Sequence, residues 1–211
     1  MNKVSYENIP KGDTSAFDEG GTYWILQEDQ VLCLISPRRH DILDRLAAAH
    51  GHEPLSVREL AHDIGLKPPA VYHHLKQLIA AGLIKEAGSR VVNRRTEKLY
   101  SAIASRIRMA GALLRPELRD KAIQAGEALC RQMGRDFTCG LHKRNVITTG
   151  PKRNLGGFRL IGMPNKKTLE KVNIHLNEVA RLLWEERDPN SPLLAFGWVM
   201  APMKEKDEEE D

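Results

Sequence analysis

Between Ser56 and Gly82 the residues leave little freedom: they spell two short helices meeting at a tight turn. Ser56, Val57, Arg58 and Glu59 form a capping box, in which the Ser hydroxyl and the Glu carboxylate satisfy the free amides of a helix start. Val57, Leu60, Ala61 and Ile64 follow at the spacing of one helical face. Gly65 stops this helix after about two turns, because glycine takes the left-handed conformation at little cost. Pro68 and Pro69 open the next helix, with Val71, Leu75, Leu78 and Ile79 expected to face inward and Gly82 to close it.

Two helices that cross steeply need a small residue where they touch, a glycine at the turn, and a branched apolar residue to lock the angle. Ala61, Gly65 and Val71 supply these at the offsets of a helix-turn-helix. Upstream, Ser36 and Pro37 cap a helix whose stripe of Ile42, Leu43, Leu46 and Ala47 runs to the stop at Gly51. Downstream the period changes to that of strands. Leu83 and Ile84, then Arg90 to Val92, a basic tip at Asn93, Arg94 and Arg95, and a return through Thr96 to Ile103 read as a β-hairpin. No Asn-Gly or Asp-Gly pair fixes its turn type.

A helix is predicted from Pro116, where Leu118, Ala122, Ala125, Leu129 and Met133 share a face, followed by an irregular connection over 138–157. The last segment reads as strand, helix and strand at 158–163, 165–187 and 193–201. In that helix Leu169, Val172, Leu176, Val179 and Leu183 form one apolar seam, suited to the flanking strands or to a second subunit. The expected class is α+β: an N-terminal winged helix-turn-helix domain (23–108), a helical dimerisation/linker region (109–157), and a small C-terminal α/β module (158–203), with either the helix from Pro116 or the one from Asn165 able to supply a dimer interface. Residues 1–22 and 204–211 are expected to be disordered acidic ends.

The formal charge of +4 is an average over unlike parts. Residues 1–30 and 204–211 each carry a net −4, so residues 31–203 hold +12. A basic body suggests a polyanionic partner. No apolar run approaches the roughly 18 residues that cross a bilayer, the N-terminus lacks the basic-then-apolar pattern of a secretory signal, and the three cysteines make no disulfide framework. A cytoplasmic location is expected, without membrane association.

The run SVRELAHDIGLKPPAVYHHLKQLIAAGLIKEAG resembles the winged helix-turn-helix of ArsR-type (arsenic-repressor-like) bacterial transcription regulators, over about residues 31–108. The resemblance implies a recognition helix in the major groove of double-stranded DNA, a hairpin wing against the flanking backbone, and a homodimer reading two half-sites. Carried onto this sequence, Lys67, Pro68, Tyr72 and His73 would face base edges, with Lys76 and Gln77 further along the same face. Arg90, Arg94 and Arg95 would belong to the wing, where guanidinium groups suit phosphates and narrow minor grooves. Arg38 and Arg39 would add backbone contacts. The family's metal sensors carry Cys-x-Cys before the recognition helix, or Asp and His ligands on a C-terminal dimer helix. Here the corresponding stretch is RELAHDIG, and the helix from Pro116 has no histidine before His142.

Other candidate chemistry has a plainer reading. His50 with His52, His73 with His74, and Cys139 with His142 fall short of the clustered ligands of a structural zinc site. Cys33 and Cys130 read as packing residues, and Cys139, among polar and basic neighbours, is the plausible reactive thiol. There is no Gly-rich phosphate loop, nucleophile elbow or carboxylate constellation, so no catalytic residue and no cofactor is expected. The sequence therefore points to a dimeric DNA-binding transcription regulator, with an unidentified small-molecule effector as a possible input. The alternative is a winged-helix module that docks an acidic protein partner.

Overall fold

The computed structural model describes residues 17–18, 21–113, 115–186, 188 and 191–203. Residues 1–16, 19–20 and 204–211, which include most of the two acidic ends, lie outside the described residues. The chain divides into two compact units, one up to Leu129 and one from Cys130 onward.

The first unit mixes helix and strand in the expected order. Strand β1 (Thr22–Trp24) leads into α1 (Glu28–Ile35) and α2 (Pro37–Ala48), then β2 (Leu55–Ser56), α3 (Val57–Asp63) and α4 (Pro68–Ala80). The hairpin β3 (Ile84–Val92) and β4 (Arg95–Ala102) follows, then β5 (Arg106–Arg108), α5 (Ala110–Leu113) and α6 (Arg119–Leu141). Strand β4 pairs antiparallel with both β2 and β3, and β1 pairs in parallel with β5. Ile25, Val31, Ile42, Leu46, Leu60 and Leu78 are among the fully buried side chains that fasten the helices together.

Local signals placed most of these elements. The capping box is present in full: the Glu59 amide donates to Ser56 Oγ and the Ser56 amide to Glu59 Oε2. Gly65 and Gly82 both adopt positive φ, as stop signals should. Ile79 departs from expectation: it is exposed, because the buried face of α4 runs through Val71, Leu75 and Leu78. Helix α1 was not anticipated; its N-cap, Gln27, makes no side-chain cap bond. Ordered chain also begins ahead of Tyr23, with Thr22 buried in β1 and Phe17 bridged to Tyr23.

Gln30 of α1 is the buried polar residue that closes this unit. Its amide nitrogen donates to the Tyr23 hydroxyl (2.7 Å) and to the carbonyl of Ala81 at the end of α4 (3.2 Å), while its oxygen accepts from the Leu26 amide (3.3 Å). One side chain thus joins the first strand's turn to the last carbonyls of α4, satisfying groups that burial would otherwise leave unpaired.

The hairpin turns on two residues, Asn93 and Arg94, with φ of 50° and 63°. This is the primed geometry that matches strand twist, built here without glycine. Lower in the hairpin the register shifts between Glu86 and Ser89, where Gly88 has φ 117°. That value lies in a region open essentially to glycine.

In the second unit, α6 continues to Leu141, so the expected irregular connection begins about four residues late. The Asn154 side chain then pins the loop, accepting from the Ile147 amide and donating to the Asn145 carbonyl. Helix α7 (Lys166–Glu185) starts at Asn165, whose side chain caps the Thr168 amide, close to its predicted start. The strands expected at 158–163 and 193–201 are not formed. Both segments lack a ladder partner, and strand residues gain little stability without cross-strand neighbours and burial. No described residue from Cys130 onward is buried.

Two stability predictions follow from the buried polar groups of the first unit. Replacing Gln30 with Leu should cost about 1–3 kcal/mol in urea unfolding, the range for stranding buried hydrogen-bonding groups. Nδ1 of His40 is buried without a partner, and burial pushes the ring from its ordinary 6.5 down to about 4. The unfolded chain then binds a proton that the folded chain refuses, so stability should fall as pH drops from 6.5 toward 4. In His40→Leu the Tm decline across that window should be smaller.

Candidate nucleic-acid interface

Helix α4 buries one face and offers the other to solvent. Lys67, its N-cap residue, and Pro68, Tyr72, His73 and Lys76 are all exposed, Tyr72 to 54%. Because a helix repeats every 3.6 residues, burial of Val71, Leu75 and Leu78 turns Tyr72, His73 and Lys76 outward, while Lys67 is exposed as the extended residue ahead of the helix. The His73 and His74 rings meet edge to face, 5.6 Å between centroids. His74 is half-buried and held below its ordinary pKa, first by burial and then by the charges of His73, Arg39 and Arg38. The positive groups at the start of α2 therefore stand close to α4.

The wing presents Arg94 and Arg95 at its tip, both exposed. Its base meets α4 on one side: the Lys98 ammonium bonds Glu86 at 2.8 Å and is held above its ordinary pKa chiefly by that bond, with Tyr100 and Tyr72 adding. Tyr72 thus sits beside the wing as well as on the outer face of α4. Arg38 is exposed and loosely paired with Asp41 at 3.4 Å, leaving donors open to solvent.

Three of the expected contact residues carry intramolecular duties. Arg39 donates to the Cys33 carbonyl (2.9 Å), the Leu32 carbonyl (2.8 Å) and the Gln77 side chain, fastening α1 to α2 and α4. Gln77 is half-buried by the same arrangement. Arg90 points back into the domain: its guanidinium reaches Glu59 at 2.8 Å, Ser56 Oγ at 3.3 Å, and Glu97 and Glu53 at 3.6 Å each. A phosphate would have to compete with three carboxylates for it. Glu59 in turn lies below the usual carboxylate range: burial works to raise it, and the bonds from the Ser56 amide, Arg90 and the Ser56 hydroxyl outweigh that.

This network was legible in principle. A two-residue turn at Asn93 and Arg94 sets Arg90 directly across from Glu97, the register the hairpin adopts. Reading the tip as three residues, Asn93 to Arg95, hid that pairing. Among the described residues, no group of three His, Cys, Asp or Glu side chains gathers where it could hold a metal ion. Among them, too, no helix is long and apolar enough to cross a membrane.

Residues 34–87 match the family model of a helix-turn-helix domain. Comparison with curated proteins finds no match. Among solved structures the chain is similar to a transcriptional regulator of the MarR family from Rhodococcus sp. RHA1, at 18% identity over 74% of this chain and 86% of that one, with a TM-score of 0.27. The matched residues span α2, α3 and α4 and run into β3. The chain therefore carries a helix-turn-helix domain, and the hairpin β3–β4 follows it as a wing.

The two kinds of wing arginine should separate experimentally. Arg90→Ala and Glu59→Gln should each speed amide exchange in β3 and β4, and the double variant should add little to either, because both break the same contact. Arg94→Gly, by contrast, should raise stability by up to about 1 kcal/mol, since glycine adopts the left-handed turn without the penalty of a side chain. The depressed Glu59 makes the folded state bind fewer protons in acid. Its contribution should be complete above the ordinary carboxylate range and vanish as pH falls through its lowered value, a loss that Glu59→Gln should abolish in acid-unfolding curves.

Proposed function

We propose that this chain is a sequence-specific, ArsR-like transcription regulator that binds operator DNA as a homodimer. The observation that carries the reading is that the outer face of α4 and the arginine tip of the wing that follows it are both exposed. In this reading α4 enters the major groove, with Lys67, Pro68, Tyr72 and His73 toward base edges and Lys76 toward phosphate. Arg94 and Arg95 lie against the flanking backbone, and Arg38 adds a contact from the start of α2. Arg39, Gln77 and Arg90 act as positioning residues that hold α2, α4 and the wing in their mutual geometry. An effector, if the protein responds to one, would act by changing the separation or angle of the two recognition helices, because duplex half-sites have fixed spacing. The family's usual metal positions offer no route for that signal here.

The test is selection of binding sites from random duplexes, followed by titration against salt. A consensus with two-fold symmetry is expected, with log affinity falling linearly in log salt concentration. Arg94→Ala plus Arg95→Ala should lower the salt slope by about two and weaken all sequences alike. Tyr72→Ala should cost about 1–3 kcal/mol on the selected site and relax preference there. Recovery of no consensus at all, with affinity indifferent to salt, would overturn the proposal.

A further inference from the structure

The second unit has the makings of half a core. No described residue from Cys130 onward is buried, although this stretch carries many large apolar side chains. Phe158 and Leu160 are 91% and 81% exposed, and Phe196, Trp198 and Val199 are also open. Such side chains leave on the order of 1,000 Å² of apolar surface uncovered, more than a monomer ordinarily tolerates and about what each partner of a stable dimer buries.

The same residues are organised for self-pairing. Along α7, Leu169, Val172, Leu176, Val179 and Leu183 keep alternating steps of three and four, the spacing with which one helix packs along another. On the helix's polar side Arg181 is neutralised within the helix itself, by Glu178 and Glu185 at 2.8 Å. That balances charge over the last turns of the helix, while Lys166, Lys167 and Lys171 against Glu170 leave its first turns basic. Residues 158–163 are free of proline and end at Pro164, while 193–201 lie between Pro192 and Pro202. Each is therefore a short run of donors and acceptors of strand length, and among the described residues neither has a ladder. Leu194, Phe196, Trp198 and Met200 recur at the two-residue period of a strand face.

We infer that residues from Cys130 onward are completed by a second copy of this chain, which covers the α7 seam and supplies partners for the extended segments 158–163 and 193–201. This rests on the homodimeric reading above and locates its interface. The second copy is the occupant because the uncovered area matches an obligate dimer, the seam suits its own kind, and a duplex with symmetric half-sites calls for a two-fold protein.

The experiment is sedimentation velocity on the full chain without DNA over a dilution series, paired with amide exchange. A dimer is expected, with amides of 158–163 and 193–201 protected in the dimer and fast on dilution. Val179→Glu should weaken dimerisation about a hundredfold or more, while Val179→Leu preserves it. Leu160→Asp should also weaken it, and it cannot act by unfolding the single chain because Leu160 already faces solvent there. Ile123→Glu, on the exposed side of α6, should leave the dimer intact. A chain that stays monomeric, or a dimer broken by Ile123→Glu and indifferent to Val179→Glu and Leu160→Asp, overturns this interface and leaves DNA binding to its own titration. A dimer with the expected sensitivities but no DNA preference upholds the interface and sinks the DNA reading alone.

Discussion

The geometry of the winged domain turns on one carboxylate. Glu59 closes the capping box of α3 through Ser56 and also receives the Arg90 guanidinium from the wing. The interaction that lets α3 begin is therefore the one that anchors the hairpin, and helix start and wing angle are fixed together. An Arg–carboxylate contact suits this task, since the planar fork donates to several oxygens at once and Arg90 reaches Glu97 and Glu53 as well as Glu59. What is gained is direction more than affinity for itself: the tip arginines are held at a set distance from α4.

A second tie works from the opposite end. Gln30 holds the residue that ends α4 to the chain around β1, and Arg39 holds the last turn of α4, through Gln77, to the junction of α1 and α2. Helix α4 is thus braced along its inner side by polar as well as apolar contacts, while its outer side carries exposed aromatic and basic groups. A surface helix that must present side chains to a groove benefits from such bracing, because small errors in placement are costly to directional contacts.

Where start and stop signals are local, the sequence was enough to read the fold. The capping box at Ser56, the prolines at Pro37 and Pro68, the glycines at Gly65 and Gly82 and the cap at Asn165 each act within a few residues, and the elements they bound formed where expected. Helix α1 has no such cap, and the parallel pairing of Thr22–Trp24 with Arg106–Arg108 joins segments remote in the chain, so neither announces itself locally. For the candidate site the division is similar. The outer positions of α4 follow from helical period alone. Whether an arginine is free or engaged depends on which acceptors the fold brings beside it: Glu97 faces Arg90 once the turn has two residues, whereas Arg39 reaches α1 and Gln77 through packing that leaves no local sign. The strand-like runs of the second unit show the converse: propensity was visible, yet propensity does not make a ladder.

The bulge at Gly88 has a further consequence, which is one of parity. Side chains alternate along a strand, so a residue absorbed in a bulge changes which sequence positions, odd or even, face each side beyond it. Below the bulge Glu86 stands opposite Tyr100, on the side of the hairpin shared with Lys98; above it Arg90 stands opposite Glu97, on the side that meets Ser56 and Glu59. The extra residue is what lets Glu86 and Arg90, an even number of positions apart, face opposite sides of the hairpin while the turn at Asn93 and Arg94 keeps Arg90 across from Glu97. The wing is thus a two-frame reading of one strand, and the bulge at Gly88 is where the frame changes. Removing one residue at this point would straighten the ladder and leave Glu86 opposite Tyr100 and Arg90 opposite Glu97, so the bulge is a place where the wing can absorb a change of length without disturbing its tip.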